Sequence, residues 1–195
     1  APPDPRWSPE DQAKYIGGEG TLLSTSVHEV WPGHFLHFLH VNRNPSKVAQ
    51  LFQSYAYTEG WAHYTEEMMR DQGLRQGNPE WQIGQLVSAL KRNARYLAAI
   101  GLHTKGMTVA EAEKLFSEGA LADPGNARQQ ALRGTYDPAY LNYTLGKLMI
   151  MKLRDDWMAA NPKATLRDFH DAFLSYSGPV PLVRRLMLGN DSPPL

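Results

Sequence analysis

The sequence predicts a mainly α protein, built as an irregular antiparallel array of helices. Apolar residues recur at three- and four-residue intervals along several segments, and no segment shows sustained period-two alternation of β-branched residues. Turn residues separate these segments, and long helices joined by short loops pack side by side. A chain of 195 residues, 42% of them hydrophobic, is long enough to bury one core. We therefore expect an extended segment over residues 1–20 and a single helical domain over residues 21–195.

The first predicted helix spans residues 22–41 and is interrupted at Pro32 and Gly33. Proline lacks a backbone N–H and clashes with the carbonyl four residues earlier, and glycine adopts dihedral angles that other residues avoid. The helix is therefore expected to kink or bulge at this pair, before the polar turn "NRNPS" ends it. A second helix is predicted over residues 48–69.

Capping residues mark the start of the next two helices. Asn78 is a candidate N-cap with Pro79 at the first helical position, and this helix is expected to end at Gly101. Thr108 and Glu111 have the spacing of a capping box, in which each residue bonds the other's backbone N–H. The box predicts a short helix that continues to about residue 119.

Three more helices are predicted toward the carboxyl end. Asp137 and Pro138 are expected to open a helix that reaches about residue 158, where Asn161 and Pro162 end it. The segments "ATLRDFHDAFLSY" and "VPLVRRLML" have helical periodicity and supply two closing helices.

Composition excludes several classes of function. The 20 basic and 20 acidic residues cancel, so no overall field attracts nucleic acid, and we expect no nucleic-acid partner. No apolar run has the length that a bilayer requires, and "APPDPRWSPEDQ" lacks the features of a signal peptide, so no membrane span is expected in this chain. Because the chain has no cysteine, any metal ion must be held by His, Asp or Glu.

The segment "HEVWPGH" is a candidate metal site. On an ideal helix His28 and His34 point about 240° apart, so a distortion between them is needed before both imidazoles can bind one Zn²⁺. Glu29, next to the first ligand, would then act as general base on a water. The alternative is that these histidines are hydrogen-bonded groups on an aromatic-rich helix and that Pro-Gly separates two helices.

The segment "YAYTEGWAHYTEE" supplies a candidate third ligand. A carboxylate among aromatic rings, such as Glu59, pays a desolvation cost unless it is paired or bound to a cation. Two histidines on one helix and a Glu on the next is the gluzincin arrangement, which leaves a fourth position for water. Glu66 could orient a ligand imidazole, and His63 is an alternative ligand on the face of Glu59. Otherwise these are solvated carboxylates, as expected for Glu67.

Four motifs in this order resemble the C-terminal part of the bacterial "domain of unknown function 885" proteins, which are grouped with the zincin-like metallopeptidases. The similarity runs from about residue 21 to residue 154, and its motifs are "HEVWPGH", "YTEGWAHYTE", "GLHTKGMTVAEA" and "YLNYTLGKLMIMKLR". Members of this family are much longer than 195 residues. The resemblance therefore implies a missing N-terminal helical part that forms the other wall of the cleft, in the same protein or as a separate chain.

The resemblance also assigns the metal site. It implies that His28, His34 and Glu59 hold one Zn²⁺ and that Glu29 is the catalytic base. These are the four residues that the local chemistry had already selected. The family is bacterial and its members often carry export or lipoprotein signals, so cytoplasmic and exported locations both remain open.

Further residues receive roles from the resemblance alone. His103 and Tyr143 are expected to donate hydrogen bonds to the oxyanion, with Tyr140 and Tyr136 as alternatives to Tyr143. Arg133 is expected to bind a substrate carboxylate and Tyr140 to contact the substrate, although a structural ion pair would also explain Arg133. The chain departs from the family pattern at Ala99, where an Asp is common, and at His63, where an apolar residue is usual.

Together these features predict a zinc metallopeptidase that hydrolyses short peptides with a metal-activated water. The alternative is a non-catalytic helical module that binds metal or a partner and derives from such a peptidase. A carboxylate-bridged dimetal bundle would need ExxH pairs on two helices, and the sequence contains no ExxH.

Overall fold

The computed structural model describes residues 5–10, 12 and 18–195. Within them the regular structure is helical and no strand occurs, so the mainly α prediction is confirmed. Backbone contacts divide the chain into two compact units. Unit 1 contains the described residues up to Thr25 and Arg70–Leu141, and unit 2 contains Ser26–Met69 and Asn142–Leu195. Residues 1–4, 11 and 13–17 of the predicted extended segment lie outside the described residues, whereas Glu19 and Gly20 are helical. The single domain over residues 21–195 stays a prediction.

Ten α-helices lie in the described part of the chain. They are α1 (Glu19–Glu29), α2 (His34–Arg43), α3 (Lys47–Leu51), α4 (Tyr55–Asp71), α5 (Pro79–Thr104), α6 (Val109–Lys114), α7 (Pro124–Gly134), α8 (Asn142–Ala160), α9 (Leu166–Leu174) and α10 (Val180–Leu188). A π-turn over Leu115–Gly119 extends α6, and a 3₁₀ turn over Pro138–Leu141 precedes α8. Of the helices described, none is both long enough and apolar enough to cross a bilayer.

The core of unit 2 is aromatic and holds α4 against α9. Tyr57 stacks on Phe173 with ring centroids 4.5 Å apart, and Trp61 stacks on the same ring at 5.5 Å. The buried Tyr57 hydroxyl donates to the carbonyls of Phe173 and Tyr176, at 3.0 and 2.9 Å, so its polar end is satisfied. These contacts fix the position of α4, the helix that carries Glu59.

Two glycines bring α4 and α8 into backbone contact. A Cβ on Gly60 would lie 2.5 Å from the carbonyl carbon of Gly146, and a Cβ on Gly146 would lie 1.9 Å from the carbonyl oxygen of Ala56. Any larger residue at either position would push the helices apart. The close crossing lets side chains near the start of α8 reach those near the start of α4.

The prediction of one continuous helix over residues 48–69 is wrong. The chain leaves the helical conformation at Phe52, whose φ and ψ are −101° and 82°. The Gln53 side-chain amide donates to the carbonyl of Ala49, and Ser54 Oγ accepts from the N–H of Tyr57. These side-chain bonds satisfy the backbone groups that a continuous helix would pair, and they divide the segment into α3 and α4.

Capping predicts most helix starts in unit 1 correctly. The Asn78 side chain accepts from the N–H of Trp81 at the start of α5, and both bonds of the Thr108–Glu111 capping box are present. Gly101, however, does not end α5, which continues to Thr104. A Cβ on Gly101 would lie 2.5 Å from Cε of Met107, so this glycine makes room for a side chain and does not terminate the helix.

Two features near α7 also differ from the prediction. Helix α7 was not predicted, although Asp123 caps it before Pro124 in the way that Asn78 caps α5. Asp137 was expected to cap the following helix, but its carboxylate pairs with Arg133 instead, and a 3₁₀ turn leads into α8. Helix α8 ends next to Asn161, and α9 and α10 lie within their predicted segments.

His170 makes the stability of the fold sensitive to acid. Burial, and to a smaller extent the charge of Arg154, lower the pKa of His170 from 6.5 to about 4. The unfolded chain therefore takes up this proton near pH 6.5, whereas the folded chain does so only near pH 4. The contribution of the neutral imidazole to stability is complete above pH 6.5 and is lost as pH falls toward 4.

We expect His170→Gln to weaken this acid sensitivity. Between pH 7.5 and pH 5 the wild-type chain should lose about 2 kcal/mol more free energy of unfolding than the variant, because glutamine takes up no proton. Glutamine can still accept the hydrogen bond of the Tyr64 hydroxyl, which lies 2.8 Å from His170 Nε2. Urea unfolding at several pH values measures the difference, and parallel pH curves would contradict the assignment.

Candidate metal centre

A complete break between α1 and α2 positions the two histidines of "HEVWPGH". Helix α1 ends at Glu29 and α2 begins at His34, so the kink or two-residue bulge expected within one helix is instead a separation into two. A Cβ on Gly33 would lie 1.8 Å from the carbonyl oxygen of His28, so only glycine fits this close approach. The Trp61 indole N–H donates to the Pro32 carbonyl at 3.0 Å and ties the break to α4.

The break brings together the three side chains that were predicted from the sequence to be metal ligands. One ligand atom each from His28, His34 and Glu59 lie within 4.8 Å of one another. Glu59 Oε2 is 3.3 Å from Nε2 of His28 and 3.3 Å from Nε2 of His34. The His28 side chain is buried and the other two are only 14% and 15% exposed, so the cluster lies below the surface of unit 2.

The two separations from Glu59 Oε2 suit a tetrahedral ion. Metal–ligand bonds of about 2.0–2.1 Å at tetrahedral angles place ligand atoms about 3.3–3.4 Å apart. Glu59 Oε2 is buried and no described residue forms a well-oriented hydrogen bond with it, even though two ring nitrogens face it. A buried carboxylate oxygen in that position is costly without a cation. The donor set of two imidazoles and one carboxylate therefore fits Zn²⁺.

Glu59 is ionised at neutral pH. Burial raises the pKa of Glu59, but its interactions with His28 and His34 outweigh burial and bring the pKa down to about 2. The negative charge that a zinc ligand needs is therefore already present on Glu59, and any proton released when zinc binds comes from the ring nitrogens of His28 and His34 that face it.

Glu66 holds His28 from the side opposite to Glu59. Its carboxylate is fully buried, and Oε1 lies 2.7 Å from His28 Nδ1. With Nδ1–H donating to this carboxylate, the lone pair of the neutral imidazole is at Nε2, the atom that faces Glu59. His63 Nδ1 lies 3.9 Å from the same Glu66 oxygen. Among the described residues, His63 does not belong to the converging group, so the alternative ligand has no support from the geometry.

Tyr143 contacts the cluster, and Glu29 follows one of its members in the sequence. Glu29 is the exposed last residue of α1, next to His28, and no hydrogen bond or ion pair joins its side chain to another described residue. The Tyr143 ring, at the start of α8, stacks on the His28 ring with centroids 6.2 Å apart and an angle of 21° between planes. The structure thus places a phenol next to a metal-ligand candidate, and the role of Glu29 as base stays a prediction.

His103 lies in unit 1, on the last turn of α5. Its Nε2 is 2.8 Å from the carbonyl oxygen of Gly134, so Nε2–H donates to that carbonyl. A neutral imidazole then has only an acceptor left, at Nδ1. His103 can donate to an oxyanion only as an imidazolium, or after giving up this bond.

Arg133 and Tyr140 also lie in unit 1, where local contacts engage both. The Arg133 guanidinium pairs with Asp137 at 2.8 Å and lies 5.8 Å from the centroid of the Tyr140 ring. Tyr140 is fully buried, and this burial raises its pKa to about 12. Tyr136 is 77% exposed. The ion pair matches the structural alternative for Arg133, and the substrate contacts expected of Arg133 and Tyr140 stay predictions.

Sequence reasoning missed Tyr55. Its hydroxyl lies 3.5 Å from the Tyr143 hydroxyl, and the two rings meet edge to face with centroids 5.7 Å apart. The available signal was its spacing, since Tyr55 is one helical turn before Glu59 and lies on the same face of α4.

Comparison with solved structures finds longer proteins with the same fold. A candidate lipoprotein of unknown function from Shewanella oneidensis superposes with a TM-score of 0.85 and 30% identity over 94% of this chain. A candidate lipoprotein from Colwellia psychrerythraea gives a TM-score of 0.82 and 28% identity over 88% of the chain. The chain spans only 34% and 30% of the lengths of these two proteins. No curated protein matches it.

A family profile covers almost the whole sequence. It matches residues 6–185 and is described as "Bacterial protein of unknown function (DUF885)". The matched range includes all the residues of the metal-site motifs. The chain therefore belongs to the DUF885 family of bacterial proteins.

Proposed function

We propose that this chain is the metal-binding part of a zinc-dependent peptide hydrolase of the zincin-like type. One observation carries the proposal: the buried Oε2 of an ionised Glu59 faces the Nε2 atoms of His28 and His34 at 3.3 Å each. Such a set has three protein ligands and leaves a fourth position open, which is typical of catalytic and not of structural zinc sites.

Three residues would bind the ion, and a fourth would orient one of them. His28, His34 and Glu59 would bind it, and Glu66 would keep the His28 ring in the tautomer that a ligand requires. When bound, zinc supplies a Lewis acid that polarises a carbonyl group and makes water nucleophilic near neutral pH.

Glu29 would transfer protons, and Tyr143 would stabilise the charge that develops on the substrate. Glu29, which has no partner among the described residues, would take a proton from the attacking water and pass it to the leaving amine. The Tyr143 hydroxyl would donate a hydrogen bond to the oxyanion as the carbonyl becomes tetrahedral. His103, Arg133 and Tyr140 enter the proposal as substrate-side residues through the family resemblance alone.

The two similar structures extend the proposal to the whole protein. Because this chain matches about a third of each, we propose that the remaining part of a longer polypeptide supplies the other wall of a peptide-binding cleft. Both similar proteins are candidate lipoproteins, so we also propose export from the cytoplasm. The rival function is a module that binds metal without cleaving peptides.

The first experiment measures metal and activity on the same sample of the wild-type chain. After dialysis against a chelator and reloading with zinc, we expect about one zinc ion per chain by elemental analysis. Incubation with a mixture of short peptides, followed by mass spectrometry, should show cleavage that disappears with the chelator and returns with zinc. Bound zinc without cleavage, both in this chain and in the longer polypeptide that contains it, would favour the non-catalytic module, and no bound zinc would overturn both.

A further inference from the structure

We propose that Tyr55 is a positioning residue that orients the Tyr143 hydroxyl toward the substrate carbonyl. The inference rests on the proposed function and adds a residue that neither the sequence motifs nor the local chemistry had selected. Three observations in unit 2 carry it: the register of α4, the contact between the two phenols, and the stacking of Tyr143 on His28.

The register of α4 places Tyr55 on the functional face of this helix. Tyr55 and Glu59 are four residues apart, so their side chains project from the same side, one turn from each other. Glu59 is the ligand candidate that faces both histidines. Tyr57, two residues after Tyr55, points instead into the aromatic core, where it stacks on Phe173. The two tyrosines of the first turn therefore lie in different environments, Tyr55 on the face of Glu59 and Tyr57 in the aromatic core.

Tyr55 meets Tyr143 through both its ring and its hydroxyl. The rings are edge to face at 5.7 Å, a favoured geometry that fixes each ring plane. The oxygens are 3.5 Å apart, at the outer limit of a hydrogen bond, and such bonds shorten when a substrate is present. The backbone contact between Gly60 and Gly146 holds the two helices at this distance.

Tyr143 connects this contact to the candidate metal site. Its ring stacks on His28, and only 8% of the residue is exposed, so it has little freedom to turn. A hydroxyl hydrogen can still rotate about the C–O bond. If the Tyr55 O–H donates to the Tyr143 oxygen, the Tyr143 hydrogen is directed away from Tyr55 and its donor strength increases through polarisation.

The main test is a double-mutant cycle in kinetics on the zinc-loaded chain. Tyr55→Phe keeps the ring and removes the hydroxyl, and we expect kcat to fall about tenfold, the effect of one hydrogen bond, with KM and zinc content unchanged. In a Tyr143→Phe background the same change should have no further effect on kcat, because its action passes through the Tyr143 hydroxyl. A tenfold loss that persists in that background, or no loss in either, would overturn the proposal.

Tyr57→Phe is the matched control. It makes the same change in the same helical turn and removes a hydroxyl that donates to two backbone carbonyls in the core. We expect this variant to lower Tm while kcat stays at the wild-type value. A loss of kcat as large as that of Tyr55→Phe would mean that general destabilisation, and not positioning, explains the effect.

A second readout needs neither metal nor activity. In the metal-free chain, the falls in Tm caused by Tyr55→Phe and Tyr143→Phe should not add in the double variant if the hydroxyls interact. Additive falls would overturn the contact itself. If this chain and the longer polypeptide that contains it both bind zinc and cleave no peptide, the proposed function and the role of Tyr55 in it are overturned, whereas the Tm cycle would still report whether the hydroxyls interact.

Discussion

Changing Glu29 to Gln is expected to lower kcat for peptide hydrolysis by about 10²- to 10⁴-fold, the range for loss of a general base. Zinc should remain bound, because Glu29 is outside the group of three converging ligand atoms. The amide is nearly isosteric with the carboxylate but cannot take a proton from water. Single-turnover kinetics at saturating peptide, together with elemental analysis of the same sample, measures both quantities.

Glu118→Gln serves as the control for this variant. It makes the same substitution at a glutamate whose side chain is 71% exposed and which has no assigned part in metal binding or catalysis, so kcat should not change. Turnover by Glu29→Gln within a few-fold of the wild type would exclude Glu29 as the base, even if zinc binding and peptide cleavage were both established.

Changing His34 to Ala is expected to abolish stoichiometric zinc binding. The imidazole is one of three ligands, and its loss should cost more than the roughly 10- to 100-fold in affinity that accompanies loss of a residue behind a ligand. The substitution also leaves the charge of Glu59 without one of the two imidazoles that lower its pKa. Elemental analysis after dialysis against buffered zinc measures the content directly.

His40→Ala is the matched control, since it makes the same change on the same helix and His40 lies outside the converging group. It should retain zinc at the wild-type level. Unchanged zinc content in His34→Ala would contradict the assignment and would move the ligand to one of the buried histidines, His37 or His63.

Features that depend on neighbouring residues could be predicted from the sequence. The Asn78 cap and the Thr108–Glu111 box were predicted correctly because each consists of hydrogen bonds between residues three apart. The last two helices were also predicted, because a long amphipathic pattern selects a helix wherever it packs. The same local reasoning failed at Gly101, where Met107 occupies the space beside the glycine and the helix continues.

By itself, the sequence determined the helical class, about half of the helix starts and the identity of the residues able to bind a metal ion. The tertiary structure decided whether those residues meet. His28 and His34 converge because Gly33 lies against the carbonyl of His28, and Glu59 joins them because the aromatic core fixes α4. The tertiary structure also decided which side chains surround Tyr143, because the helices α4 and α8 approach closely only where two glycines meet. Contacts between distant segments depend on packing, and a sequence pattern with a range of a few residues cannot specify them.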